Sequence, residues 1–245
     1  MLYIVRDPSK YAKEAAAGHD VIPQVHEVRT ANRLEKDGEG KNFRALEGTA
    51  SGPCLILGMG PSRHKLPSGI KVPVFGINRA AAEHPVDWFV AHDWMTLPVC
   101  ERVPKHIPLL TYACNWLRPD YKYVRGSGRE VWFYDIYADP TLHKKRPLYW
   151  NASTLGILLD LTIRMGYGPI YTLGTDLTIG GYKNDVIPDA VLAESHKELR
   201  AKMDFMFTPK ELPKWNPNGV KVLDLSGGNL KAEKGDWDKA MGDLL

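Results

Sequence analysis

The best-placed chemistry lies in Gly58-Met59-Gly60-Pro61-Ser62, which follows directly on the apolar run Cys54 to Leu57. Glycines after a buried strand let the backbone approach a ligand closely. Free amides in the following turn can hold an anion, so the five residues point to a phosphate or nucleotide loop. The third glycine of the dinucleotide fingerprint is absent, because the basic run Arg63-His64-Lys65 stands there. Pro61 also removes one donor. A tight turn without a ligand is the competing reading.

Other polar groups end neighbouring runs. Val72 to Ile77 ends on Asn78, 18 residues after Gly60. Dinucleotide folds place a ribose-binding acid near this point. An Asn can both donate and accept, which suits a ribose or a base edge. Val86 to Ala91 ends on His92-Asp93, where Asp93 can orient a base, bind a metal or cap the next turn. Ser153-Thr154 open the most periodic helix, offering hydroxyls and first-turn amides to a phosphate. Gly174-Thr175-Asp176 follow another buried run, and Asp176 is expected to face the same cleft. His196 sits among polar residues, and its intrinsic pKa suits a general base. No GxSxG, HExxH, Walker A or paired-carboxylate signature occurs, which removes the hydrolase, metalloprotease and P-loop readings. An NAD dehydrogenase is disfavoured, since both the third glycine and the acidic ribose partner are missing.

These residues need strands to carry them. Beyond the three runs already named, Ile107 to Ala113, Val131 to Tyr137, Pro169 to Leu173 and Val220 to Leu225 read as strands. Asn151 to Met165 and Ala190 to Phe207 read as helices. Leu155, Leu158, Leu159, Thr162 and Met165 recur at helical spacing, and Asn151 or Ser153 can cap the start. Alternation of this kind predicts an α/β fold: a Rossmann-like, mainly parallel sheet with helices on both faces, plus an N-terminal extension. The expected units are an extension or arm over 1–52, a nucleotide-binding catalytic domain over 53–230, and a tail over 231–245 with a short helix around Trp237 and Met241. Within the extension, Tyr3 to Val5 reads as a short strand and Tyr11 to Ala17 as a short helix. The polar stretch Arg33 to Glu47 reads as an arm, a loop or a homo-oligomerisation element.

Bulk properties set wide bounds. The 245 residues are 44% hydrophobic and 25% charged, an ordinary soluble balance. A net charge of +3 does not indicate nucleic acid, though it allows a basic face for an anionic ligand. Three scattered cysteines without CxxC argue against a disulfide framework or structural zinc, and Cys54 and Cys114 read as inert core residues. Neither a signal-peptide core nor a membrane-length apolar run occurs, so the expected location is cytoplasmic.

The order ILGMGPS (56–62), VFGIN (74–78) and NASTLGILLDLTIRMGYGPIYTLGTDLT (151–178) resembles bacterial CMP-sialic-acid-dependent sialyltransferases. It also resembles related Rossmann-like proteins that include archaeal 6-hydroxymethylpterin diphosphokinases. The resemblance spans about 53–230. It implies that Gly58, Gly60, Pro61 and Ser62 form the nucleotide-phosphate loop, that Asn78 contacts the nucleotide and that Ser153 and Thr154 lie near the phosphate. It further implies that Gly174 belongs to the site, that Ser226 helps to close it and that His196 is the general base. Met59 stands where the sialyltransferases have asparagine, and Leu155 where they have glycine.

The expected function is therefore nucleotide-dependent group transfer, foremost glycosyl transfer from a nucleotide-sugar donor. His196 would be the base, and Asp93 or Asp176 would orient the acceptor or a divalent ion. Two alternatives stand beside it. One is an Mg²⁺-dependent diphosphokinase acting on a small hydroxymethyl substrate, with Asp93 and Asp176 as ligands. The other is a nucleotide-binding or assembly protein without turnover.

Overall fold

The structure is a computed structural model that describes residues 2–5, 20–23, 31–135, 153–177 and 189–245. The expected helix Tyr11 to Ala17 and the cap Asn151 lie outside these residues.

Two short strands, β1 (Leu2–Val5) and β2 (Asp20–Pro23), pair in parallel with each other. The main sheet has nine strands: β3 (Lys41–Asn42), β4 (Cys54–Leu57), β5 (Val74–Ile77), β6 (Trp88–Ala91), β7 (Leu109–Tyr112), β8 (Val131–Tyr134), β9 (Ile170–Leu173), β10 (Val222–Asp224) and β11 (Glu233–Lys234). Every pairing is parallel, and the order is β11-β10-β9-β4-β5-β6-β7-β8-β3.

This order follows from strands that are apolar on both faces. In β4, β5, β8 and β9 every residue is buried, as required of strands covered on two sides. Alternation splits them between two cores. Cys54 and Ile56 of β4 join one, Leu55 and Leu57 the other. Helix α4 (Thr154–Met165), α5 (Asp189–Met206) and α6 (Leu212–Trp215) cover the Cys54 face. The opposite face takes α1 (Ala31–Lys36), α2 (Ala80–Glu83), α3 (Lys122–Arg125) and α7 (Trp237–Leu244). Helices on both faces of a parallel sheet are the expected class.

From β4 the chain builds outward through β5 to β8, then returns so that β9 pairs with the free side of β4. The two halves therefore meet between β4 and β9, the switch point where open α/β sheets bind ligands. Aiming α4 at this seam is a matter of burial and capping. Of its twelve residues only Arg164 is not buried, so the helix is fixed by core on all sides. Ser153 caps its start by accepting from the Gly156 amide at 2.9 Å, and Gly166 ends it at φ 109°. Inside it, fully buried Asp160 pairs with Arg164 at 3.2 Å.

Both flanking segments give the sheet an edge strand, β3 from residues 1–52 and β11 from 231–245. Asp135, just past β8, accepts from the Ala31 amide with both carboxylate oxygens at 3.1 Å and so caps α1. The C-terminal helix is α7, capped by Asp236 and held by a hydrogen bond from Tyr171 to Asp243. Cys54, Cys100 and Cys114 are free and buried. Burial raises all three thiols, Cys100 to about 11. Among the described residues no helix is long and apolar enough to cross a membrane.

Candidate functional site

Where β4 and β9 end, the loops that follow them touch. The Gly58 amide donates to the Leu173 carbonyl at 2.7 Å, and the Gly60 amide to the Gly174 carbonyl at 2.6 Å. Only glycine permits this. A Cβ at Gly58 or Gly60 would run into the Gly174 carbonyl, and Gly174 itself sits at φ 72°. The Ser62 amide donates to Asp176 Oδ2 at 3.1 Å. Of the donors expected to cradle a phosphate in this loop, three are thus engaged with β9 and its loop, and Pro61 has none. The loop brings close-packed backbone to the site rather than a set of free amides.

The cleft beside this seam encloses about 190 Å³. Gly58, Met59 and Gly60 form one wall, Gly174, Thr175 and Leu177 another, and Ser153, Thr154 and Leu155 at the start of α4 a third. Ile77, Asn78 and Asp93 close the β5–β6 side, and Leu199 of α5 completes the lining. Seven residues expected from sequence meet here: Gly58, Gly60, Asn78, Asp93, Ser153, Thr154 and Gly174.

Each has a distinct part. The first-turn amides of a helix lack intrahelical acceptors. The Ser153 hydroxyl takes the Gly156 amide and also contacts Met203 Sδ at 3.2 Å. That leaves the amides of Thr154 and Leu155, with the helix dipole behind them, as the candidate anion donors at α4. Asn78 occupies the left-handed region at φ 51°, where Asn is tolerated better than most side chains. Its amide is tied to the Val90 carbonyl at 2.9 Å, but its buried Oδ1 has no partner among the described residues. Asp93 stands at the cap position of the 3₁₀ turn Trp94–Glu101, yet its side chain makes no cap bond. Its exposed carboxylate is left to the cleft.

Four expected site residues do not line the cleft: Pro61 is exposed, and Ser62, Asp176 and Ser226 are buried behind its wall. Pro61 starts the 3₁₀ turn Pro61–Lys65. Asp176 is 7% exposed, and its Oδ2 accepts from both the amide and the hydroxyl of Ser62. Ser62 Oγ in turn accepts from the Gly174 amide at 2.9 Å. Ser226 accepts from the Thr175 amide at 2.9 Å and adjoins the Thr175 hydroxyl. Behind it, buried Asp224 accepts from the hydroxyls of Thr172 and Thr175, the Ser226 amide and Lys234 Nζ. These groups hold the loops that shape the cleft. His196 belongs to α5, and its side chain lies outside the described residues.

Of the basic run after the loop, Arg63 is also inward-looking, while His64 and Lys65 are exposed. Arg63 donates to the Met59 carbonyl at 2.6 Å and pairs with Glu83 at 2.9 Å. Burial pushes the Glu83 carboxyl up, but its hydrogen bond and charge pairing with Arg63, helped by Arg79, hold it below its ordinary value. Of the apolar lining, sequence reasoning passes over Ile77, Leu177 and Leu199 and meets Met59 and Leu155 at the site only as departures from the resembled pattern. Strand and helix periodicity marks Ile77 and Leu155 as inward, but not as cleft-facing.

No family model matches the chain, and no curated protein matches it. Among solved structures, that of the MAf glycosyltransferase from Magnetospirillum magneticum AMB-1 is similar, with 13% identity and a TM-score of 0.49. The match covers 80% of this chain and 35% of that one, so this chain spans about a third of that protein's length.

Proposed function

We propose that the chain is a nucleotide-dependent group transferase and that its reaction is glycosyl transfer from a nucleotide-sugar. The observation that carries this reading is that the buried Oδ1 of Asn78, a residue lining the same cleft as the start of α4, has no partner among the described residues. An orphaned buried acceptor costs about 1–3 kcal/mol, which a ligand donor recovers. A ribose hydroxyl or an exocyclic base amine supplies such a donor, and the uncharged amide does not repel a nearby phosphate. The Thr154 and Leu155 amides take the phosphate oxygens. The apolar lining from Ile77, Leu155 and Leu199 suits the flat face of a nucleoside.

In this reaction an acceptor hydroxyl oxygen attacks the anomeric carbon. The bond from that carbon to the phosphate oxygen breaks, and the nucleotide leaves with the electron pair. The hydroxyl proton passes to a base. His196, one helical turn before the cleft-lining Leu199, is the proposed base, and Asp93 orients the acceptor. The leaving phosphate is assigned to the Thr154 and Leu155 amides at the start of α4.

A thermal-shift panel of CMP, UDP, GDP, ATP and their sugar conjugates, with and without Mg²⁺, tests the reading. A ligand at 100 times its Kd adds about 2.7 kcal/mol. A shift with a nucleotide-sugar that disappears in Asn78→Gly is the expected result. A response to ATP alone, strictly requiring Mg²⁺, would move the assignment to pyrophosphate transfer. No response to any nucleotide would sink it.

A further inference from the structure

Three rings stack together, one of them that of His92, next in the chain to Asp93, which lines the cleft, although none of the three is itself part of the lining. His92 follows directly on β6, while β7 ends on Tyr112 and β8 on Tyr134. The pairings Ala91 with Thr111 and Tyr112 with Tyr134 bring them into register. Val90 and Leu110, two residues earlier, belong to the core beneath α4 and α5, as does Tyr134 itself. Side chains two apart share a face, so the rings stand on the side of the sheet from which α4 approaches the cleft. Their planes are nearly parallel. His92 lies 5.6 Å from Tyr112 and 6.2 Å from Tyr134, centroid to centroid, and the two tyrosines are 6.2 Å apart. Asn115 steadies the turn by donating to the His92 carbonyl at 2.7 Å and to Thr111 Oγ1 at 3.0 Å.

This packing decides where the imidazole proton sits. His92 Nδ1 is 3.1 Å from the Tyr134 hydroxyl. Tyr134 is 2% exposed, and burial holds its phenol well above its ordinary pKa, with the Asp93 charge adding to the effect. The phenol therefore keeps its proton, and Nδ1 is its only hydrogen-bond partner among the described residues. A buried hydroxyl donates to the acceptor it has. Nδ1 is thus the acceptor, and the ring proton belongs on Nε2. Burial also lowers the His92 pKa, against the opposing charge of Asp93, so the ring is neutral at neutral pH. The groups facing it are Asp93, Tyr112 and Tyr134. Among the described residues the Nε2–H has no acceptor.

We infer that His92 contacts substrate on the acceptor side of the cleft, donating its Nε2–H to the acceptor oxygen in a tautomer set by Tyr134. This rests on the transferase reading above. Asp93, the next residue, lines the cleft with a carboxylate. A carboxylate repels phosphate and accepts from a hydroxyl, which makes this wall the place for the acceptor rather than for the donor's phosphates. A neutral donor and a carboxylate side by side can hold the acceptor through its oxygen and through a proton other than the one His196 removes. Tyr134 is a positioning residue in this scheme.

The test uses the full chain in two measurements. In ¹⁵N-histidine spectra, the resonance missing from His92→Gln should show Nδ1 bare and Nε2 protonated, and Tyr134→Phe should turn it into a mixture of tautomers. In turnover of the nucleotide-sugar that gives the largest thermal shift, with water as acceptor, His92→Ala should be about tenfold slower. His92→Gln, whose amide can replace the Nε2–H, should stay within about threefold. Both variants should keep the wild-type thermal shift with the nucleotide. An Nδ1–H tautomer in the wild type, or a Gln variant as slow as Ala, overturns the inference. A wild type that binds no nucleotide overturns the transferase reading, and the tautomer, read separately, tells that failure from a failure of the His92 assignment.

Discussion

Ser62 Oγ and Asp176 Oδ2 lie 2.7 Å apart across the seam between the two halves of the sheet, although 114 residues separate them in the chain. The same hydroxyl accepts from the Gly174 amide. One serine therefore ties the loop after β4 to the loop after β9, behind the cleft wall. Ser62→Ala should lower unfolding stability by about 1–3 kcal/mol, because it leaves a buried carboxylate oxygen and a buried amide short of partners. Asp176→Ala should cost at least as much. Urea denaturation of both variants checks this, and an Asp176→Ala protein of wild-type stability would contradict it.

Gly58 and Gly60 tolerate no side chain. Alanine at Gly60 must displace either the Asp176 carboxylate or the Gly174 carbonyl. Gly60→Ala should lose at least about 2 kcal/mol, and Gly58→Ala should behave alike. Gly48→Ala is the control: its φ of 70° is also left-handed, but nothing lies within 4 Å of the added carbon. It should lose only the backbone strain, about 1 kcal/mol. Thermal melts of the three proteins separate a steric seam from a conformational cost.

Asn78 allows structure and ligand contact to be pulled apart. Asn78→Gly suits φ 51° and should leave stability within about 1 kcal/mol of wild type while abolishing the nucleotide thermal shift. A branched residue such as Val should destabilise the fold by about 1–2 kcal/mol, since that backbone region excludes it. Retention of full nucleotide binding in Asn78→Gly would remove this side chain from the site.

Acid should weaken the fold through two histidines. Burial lowers the pKa of His92, and burial with the charges of His64 and Arg63 lowers that of His84. An unfolded chain binds protons at these positions near pH 6.5, where the folded one does not. Their contribution is complete above about pH 6.5 and is lost as the pH falls from there through the depressed folded values. Urea midpoints at about pH 7.5 and about pH 5.5 should differ, and His92→Gln should shrink that difference. An unchanged difference in the variant would show that His92 titrates as freely folded as unfolded.

Much of the cleft is legible in the chain because strand ends announce themselves. Gly58, Asn78, Asp93 and Gly174 each follow an apolar run, and parallel topology collects such ends on one edge. What a strand end then does with its side chain is a matter of neighbours far away in sequence. Asp176 reads as a cleft carboxylate until Gly58 and Gly60 let the two loops touch, which turns it toward Ser62. Ser226 is drawn in the same way toward Thr175 and Asp224. His92 and Asp93 differ only by one step of alternation, and nothing local says which of them stacks on Tyr112 and Tyr134. The two-residue strands β3 and β11 are too short for any periodicity to mark.

Those two stubs have a consequence for how copies of the chain can meet. A long unpaired strand invites another molecule to add itself to the sheet. Here the sheet ends at Lys41–Asn42 on one side and Glu233–Lys234 on the other, each with a lysine in it. Those lysines are held to Glu130 at 2.8 Å and to Asp224 at 2.7 Å. A molecule arriving edge-on finds almost no free backbone to copy and a charge in the way. Association between copies must therefore use surfaces other than the two edges of this sheet.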